Sequence, residues 1–280
     1  METHSIPKHH LQKLLLLALS ASAVFTGQLL LAQTQQAPST PAAPATIQPA
    51  PDTDDPVKLH AQIADYKSKL GDFALLGRYR AENAQLPPPT AGEKRVVMFG
   101  DSITDDWRNT PQSFFPGEPY INRGIKGQVT AQMLVRFQAD VIALKPAAVV
   151  ILAGTNDIGN RNGRAGVLEA TENNLISMAQ LAQANGIKVV LATLLPICGM
   201  QLARRSPDDI RALNQWITGY TKDHNIQLLD YYPVMLDPAT GQLRESITHD
   251  CLHPNAAGYD IMRPMIEKAV VAALQKPSKP

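Results

Sequence analysis

Ser102 follows the run Val96-Val97-Met98-Phe99-Gly100-Asp101, and a serine hydroxyl becomes a strong nucleophile only when a base takes its proton. Asp250-Cys251-Leu252-His253 offers such a base. A histidine three residues after an aspartate, in a loop before Pro254, can turn its Nδ1–H onto the carboxylate and leave Nε2 to face Ser102. Negative charge developing on a carbonyl oxygen needs donors already in place. The Ser102 backbone N–H, the Gly127 backbone N–H and the Asn156 carboxamide could supply them. The chemistry of such a set is acyl transfer. Each residue also has a plainer reading. Asp101 and Ser102 can bond the local backbone in an ordinary turn, Gly127 can be a turn glycine, and Asn156 can cap a helix. The Asp250–His253 pair can be a capped turn before the last helix. Asp101 reads as a turn-stabilising residue rather than the acid, and His249 as loop surface.

These residues act together only if the fold carries them to one place. Val96 to Gly100 and Ala147 to Ala153 are continuous apolar runs bounded by glycine, the pattern of parallel strands covered on both faces. Lys188 to Leu195 and Ile226 to Tyr232 read as two further long strands, and Tyr120 to Asn122 as a short extended piece. A helix is expected from Thr130, with Met133, Leu134 and Phe137 inward. A second spans Gly166 to Ala184, with Leu168, Leu175, Met178 and Ala182 on one face. Ser206-Pro207-Asp208-Asp209 is a strong helix start, followed by the stripe Ile210, Leu213, Ile217 and Tyr220. The final helix begins near Asn255 and turns Met262, Ile266, Ala269 and Ala273 inward. Alternating strands and helices predict an α/β class, a parallel sheet between two helical layers. Ser102, Gly127 and Asn156 then share the edge at the strand ends, where ligands bind in open α/β sheets. Trp107, Phe114 and Phe115 read equally well as lining of a cleft or as a small satellite core.

Four blocks occur in order: Gly100 to Ile103, Asn122 to Thr130, Gly154 to Asp157, and Asp250 to Pro254. Together they resemble the blocks of the SGNH, or GDSL-type, hydrolase and esterase superfamily. The resemblance covers Arg95 to the last helix. It implies a flavodoxin-like three-layer α/β/α fold with a parallel sheet of about five strands, and ester hydrolysis with no cofactor and no metal. Ser102 matches the family nucleophile, His253 the general base and Asp250 the acid. Ser102, Gly127 and Asn156 match the oxyanion donors, with Gly124 the competing glycine. Ile103 stands for the usual Leu, and Cys251 where a Gly is common. The expected activity is that of a serine esterase acting on short acyl groups, such as O-acetyl on carbohydrate. A lysophospholipase-like acyl hydrolase is the alternative, and a non-catalytic glycan-binding module is the alternative of another class.

Residues 1–32 read as an export signal: Lys8, His9, His10 and Lys13 precede the apolar run Leu14 to Phe25, and cleavage is placed after Ala32. Residues 33–56, rich in Pro, Ala, Gln and Thr, form a linker with too little apolar surface to fold. Residues 57–94 are a helical extension, and 95–276 the hydrolase domain. The expected location is periplasmic or secreted. An uncleaved N-terminal segment would allow transient membrane association. A net charge of +1 with no basic cluster argues against nucleic acid as a partner. The partner is a small-molecule or polysaccharide ester. Cys198 and Cys251, the two cysteines, fall near the same sheet edge. In an exported protein they could pair, although two buried thiols are the plainer reading.

Overall fold

The computed structural model describes residues 56–110, 114–159 and 165–276, with the side chain of Lys69 left aside. The expected export signal and all of the expected linker except Pro56 lie outside the described residues. The chain runs α1 (Pro56–Gly71), α2 (Arg80–Gln85), β1 (Val96–Gly100), α3 (Ser102–Asp105), β2 (Tyr120–Gly124), α4 (Thr130–Asp140), β3 (Ala148–Leu152), α5 (Thr155–Gly159), α6 (Val167–Ala184), β4 (Lys188–Ala192), α7 (Pro207–Asp223), β5 (Gln227–Leu229), α8 (Tyr232–Met235), β6 (Leu236–Asp237), β7 (Gln242–Leu243) and α9 (Ala256–Gln275).

The main sheet has five parallel strands in the order β2-β1-β3-β4-β5. β1 and β3 are buried along their whole length, as expected of runs with no polar face. α4, α6 and α7 pack together, while α9 lies against β3, β4 and β5. The stripes read from periodicity face the core: Ile210, Leu213 and Ile217 on α7, and Met262, Ile266 and Ala273 on α9, are almost fully buried. Ser206 caps α7 by accepting from Asp209 N–H, with Pro207 at the first helical position.

The chain passes from β1 to β2 on one side and then to β3 on the other. β1 is therefore the switch point of the sheet, where the flanking connections part and leave a crevice. Gly100 ends β1 in register with Gly124 of β2 and Leu152 of β3. It packs so closely on the next turn that a Cβ there would lie 2.1 Å from Thr104 Oγ1.

Two strand readings are corrected. The expected strand Ile226 to Tyr232 is only three residues, because Tyr232 already opens α8, with Pro233 in its first turn. The expected strand Lys188 to Leu195 stops at Ala192. Thr193 N–H still donates to Leu229 O at 3.0 Å, and Asn214 of α7 then takes Leu194, accepting from its N–H at 2.7 Å and donating to its O at 3.0 Å. The extended piece at Tyr120 is a complete edge strand through Gly124, which supplies the fifth strand. β6 and β7 form a small antiparallel hairpin that carried no sequence signal.

Within the extension, α1 has no buried residue among those whose side chains are described, but the stretch after it packs closely. Tyr79 is fully buried, and its hydroxyl donates to Gly124 O and accepts from Arg108 Nη2 at 2.6 Å. Arg78, Arg108 and Arg123 lie over its ring. The Tyr79→Phe variant keeps the ring and leaves both polar partners without the hydroxyl. Its unfolding free energy should fall by about 1–2 kcal/mol, read from urea midpoints at constant slope; an unchanged midpoint would count against this role.

Candidate active site

Asp101 links β1 to α3. Its Oδ1 accepts from Ile103 N–H at 3.0 Å, which caps α3 and fixes Ser102 as the first helical residue. Tyr259 of α9 donates to Ile103 O at 2.8 Å and pins the same turn from the far side.

His253 approaches from the loop before α9. Its carbonyl accepts from Thr248 Oγ1 at 2.7 Å and from His249 N–H at 3.0 Å. Asp250 Oδ1 accepts from the backbone N–H groups of Leu252 at 3.1 Å and His253 at 2.8 Å, and Asp250 Oδ2 lies 2.8 Å from His253 Nδ1. An ionised carboxylate only accepts, so Nδ1 carries the proton and Nε2 is an acceptor. Ser102 Oγ sits 2.8 Å from that Nε2. The structure thus joins Ser102, His253 and Asp250 in one relay across 151 residues of sequence. Burial raises the Asp250 carboxyl, but hydrogen bonds and charge from His253, with the Leu252 N–H, outweigh it and hold it below its ordinary value.

Asn156 lies in the first turn of α5. Its Nδ2 donates to Gln128 O at 3.0 Å and reaches Asp101 Oδ2 at 3.4 Å, which sets it between the loop of Gly127 and the turn of Ser102. Gly127 has φ +76°, a conformation that strains other residues, and its N–H has no acceptor among the described residues. Gly124, the competitor, belongs to β2; a Cβ there would lie 2.2 Å from Asp105 N, so it is a close-packing glycine. The 125–129 loop is braced by Gln128, whose side chain donates to Ala74 O at 2.9 Å and accepts from Arg136 Nε at 2.6 Å.

Cys198 and Cys251 form a disulfide, S–S 2.01 Å, which corrects the plainer reading of two thiols. Cys251 has φ +66°, so the position is one that glycine would occupy without strain. The bond to Cys198, together with Cys198 N–H donating to Cys251 O at 3.2 Å, holds the residue there. Cys198, Glu245 and Cys251 cluster tightly enough for a metal ion, but both sulfurs are spent in the disulfide.

Trp107 and Phe115 are nearly fully buried, packed with each other and with Tyr259 and Tyr120. They belong to the main core, with Phe114 half-buried against it, rather than to a separate satellite core or the wall of a cleft. His249 is exposed, and it lines a cavity of about 260 Å³ with Asp106, Asn109, Thr110, His253, Pro254 and Tyr259. Sequence reasoning missed Arg205, Gln128 and Asp157. Asp157 is buried and accepts from Thr130 N–H and Oγ1, tying α5 to α4. Lone polar residues between apolar runs carry no signal of such partners.

Residues 98–261 match the family model described as the GDSL-like lipase/acylhydrolase family. The chain belongs to that family. The chain is 43% identical to a GDSL-like lipase from Bacteroides thetaiotaomicron whose crystal structure superposes with a TM-score of 0.67, covering 72% of this chain and 99% of that one. It is 33% identical over 122 residues to the uncharacterized lipoprotein YqeF of Bacillus subtilis, covering 38% of this chain and 50% of that protein. It is 25% identical over 223 residues to an acetylxylan esterase of Xylanibacter ruminicola, covering 66% of this chain and 45% of that protein. The chain spans about half the length of the curated relatives it matches.

Burial pushes the Asp101 carboxyl up to about 6, with Ile103 N–H and the charges of His253 and Arg205 opposing. A carboxyl raised in the folded state binds its proton more tightly there, so this group lowers stability as pH rises from about 4 to about 6. Asp101→Asn keeps an acceptor for Ile103 N–H. Its stability relative to the parent should therefore increase across that window, by at most about 3 kcal/mol. Urea midpoints at pH 4, 5, 6 and 7 check this; a difference that stays flat with pH removes the effect.

Proposed function

We propose that this acylhydrolase is a serine esterase in which Ser102 attacks the ester carbonyl. The observation that carries the reading is the relay Ser102 Oγ–His253 Nε2 and His253 Nδ1–Asp250 Oδ2, both links 2.8 Å. His253 takes the Ser102 proton as Oγ bonds to the carbonyl carbon, and Asp250 stabilises the imidazolium. The oxyanion is received by the backbone N–H groups of Ser102 and Gly127 and by Asn156 Nδ2, one of whose N–H groups turns to it from the long 3.4 Å contact with Asp101 Oδ2, each donor worth about 3 kcal/mol in the transition state. The tetrahedral intermediate collapses, the C–O bond to the alcohol breaks, and His253 protonates the leaving alkoxide. Water then attacks the acyl-enzyme with His253 as base, and the acid leaves.

The substrate class proposed is a short acyl ester of a carbohydrate. The cavity beside His253 is lined by Asp106, Asn109, Thr110 and His249, polar groups suited to a polyhydroxylated alcohol. Trp107 and Phe115 are withdrawn into the core and Phe114 is half-buried against it, which leaves little aromatic wall for a long acyl chain. Similarity to proteins named acetylxylan esterase supports the same class. Export is proposed on the basic and apolar N-terminal segment and on the similarity to a lipoprotein.

The parent protein should hydrolyse p-nitrophenyl acetate, and Ser102→Ala should reduce kcat/KM by about 10⁴-fold or more. Equal rates, or none from either, reject the reading. Among esters, acetate should exceed octanoate and lysophospholipid in kcat/KM, and acetate should be released from acetylated xylooligosaccharide. Preference for octanoate or lysophospholipid would move the function to lipid acyl groups.

A further inference from the structure

A buried guanidinium stands behind the oxyanion donor. Arg205 lies just before α7 and is 7% exposed. Its Nε donates to Thr155 O at 3.1 Å, its Nη1 to Gln201 Oε1 at 2.6 Å, and its Nη2 to Asn156 Oδ1 at 3.3 Å. Gly159, the last residue of α5, lies against the guanidinium; a Cβ there would come within 3.0 Å of Cζ and Nη2. Gln201 also donates from Nε2 to Asp250 O at 3.2 Å. The same guanidinium thus sits one side chain away from the loop of the acid.

We infer that Arg205 is the positioning residue for the Asn156 carboxamide, setting which end of the amide faces the oxyanion and strengthening it as a donor. The inference rests on the proposed role of Asn156. A guanidinium has donors only, so the atom it meets must be the carbonyl oxygen. That fixes Oδ1 toward Arg205 and Nδ2 toward Gln128 O, Asp101 and the Ser102 turn. Gln128 O, which only accepts, and Arg205, which only donates, thus hold the amide from opposite ends; without Arg205 the carbonyl end loses its partner and the orientation rests on the nitrogen end alone. A positive charge on Oδ1 also draws electron density from the amide nitrogen and makes its N–H groups more acidic, an effect enlarged by burial. Gly159 gives the guanidinium its place, since any side chain there would push it away from Oδ1.

The test is a double-mutant cycle on the full chain with p-nitrophenyl acetate, with Ser102 labelling by a fluorophosphonate as an independent readout. Asn156→Ala should lower kcat by about 10²–10³-fold. Arg205→Met should lower kcat by about 10–100-fold with KM within about twofold, and should add almost nothing in the Asn156→Ala background. A purely structural role would lower both backgrounds alike. Where Arg205→Met does not fold, Gly159→Ala replaces it, with a smaller loss in kcat that also vanishes in the Asn156→Ala background. Wild-type kcat in the variants, or a loss fully additive with Asn156→Ala, overturns the inference alone. A parent protein that neither turns over nor is labelled at Ser102 overturns the esterase reading and this inference with it.

Discussion

Arg136 is fully buried, and a guanidinium out of water is tolerable only when acceptors surround it. It finds them at Gly100 O, at the end of β1; at Arg123 O, near the end of β2; at Gln128 Oε1, in the loop that follows; and at Asp140 Oδ2, one turn along α4. Its guanidinium also lies over the Phe99 ring, 4.2 Å from the centroid. One charge therefore binds together the two strand ends and the loop from which Ser102 and Gly127 project. Displacing any of these segments would leave the charge short of an acceptor, so the edge of the sheet is held as a unit.

The remaining parts of the site hang on that edge through polar side chains. Gln128 passes the constraint outward to Ala74 in the extension and, through its carbonyl, to Asn156. Arg205 and Gln201 continue the connection from Asn156 to the carbonyl of Asp250. The disulfide lies in the same region and ties the Cys198 segment to the loop of His253. Ester hydrolysis asks for groups placed to a fraction of an ångström. Here the loops at the strand ends are held by hydrogen bonds, many of them buried, and by one covalent bond.

The fold was legible wherever burial alone decides the pattern. β1 and β3 are covered on both faces, and α7 and α9 each turn one stripe inward, so run and period carried their signals directly. Readings failed where a side chain competes with the backbone or a neighbour supplies the reason. Past the end of β4, Asn214 takes Leu194's backbone groups in place of a neighbouring strand. Tyr120 to Asn122 looked too short for a strand because an edge strand with half-buried residues shows no strong alternation. Tyr79, in a segment the sequence left as an outer extension, proves to be a core residue of β2's edge.

The sequence by itself determined the groups on which the proposed chemistry rests and their chain order: a serine after the first strand, a turn glycine, an asparagine, and an aspartate three residues before a histidine. Those are local signals, since a strand end, a turn and a short loop each need only a few adjacent residues. Only the tertiary structure decided that Ser102 and His253 meet at hydrogen-bonding distance, that Cys198 and Cys251 are joined, and that Trp107 belongs to the core. It also decided which buried cations stand behind the 125–129 loop and Asn156. The physical reason is range: burial period is written along the chain, whereas the partner of a buried charge is chosen from whatever the sheet brings beside it.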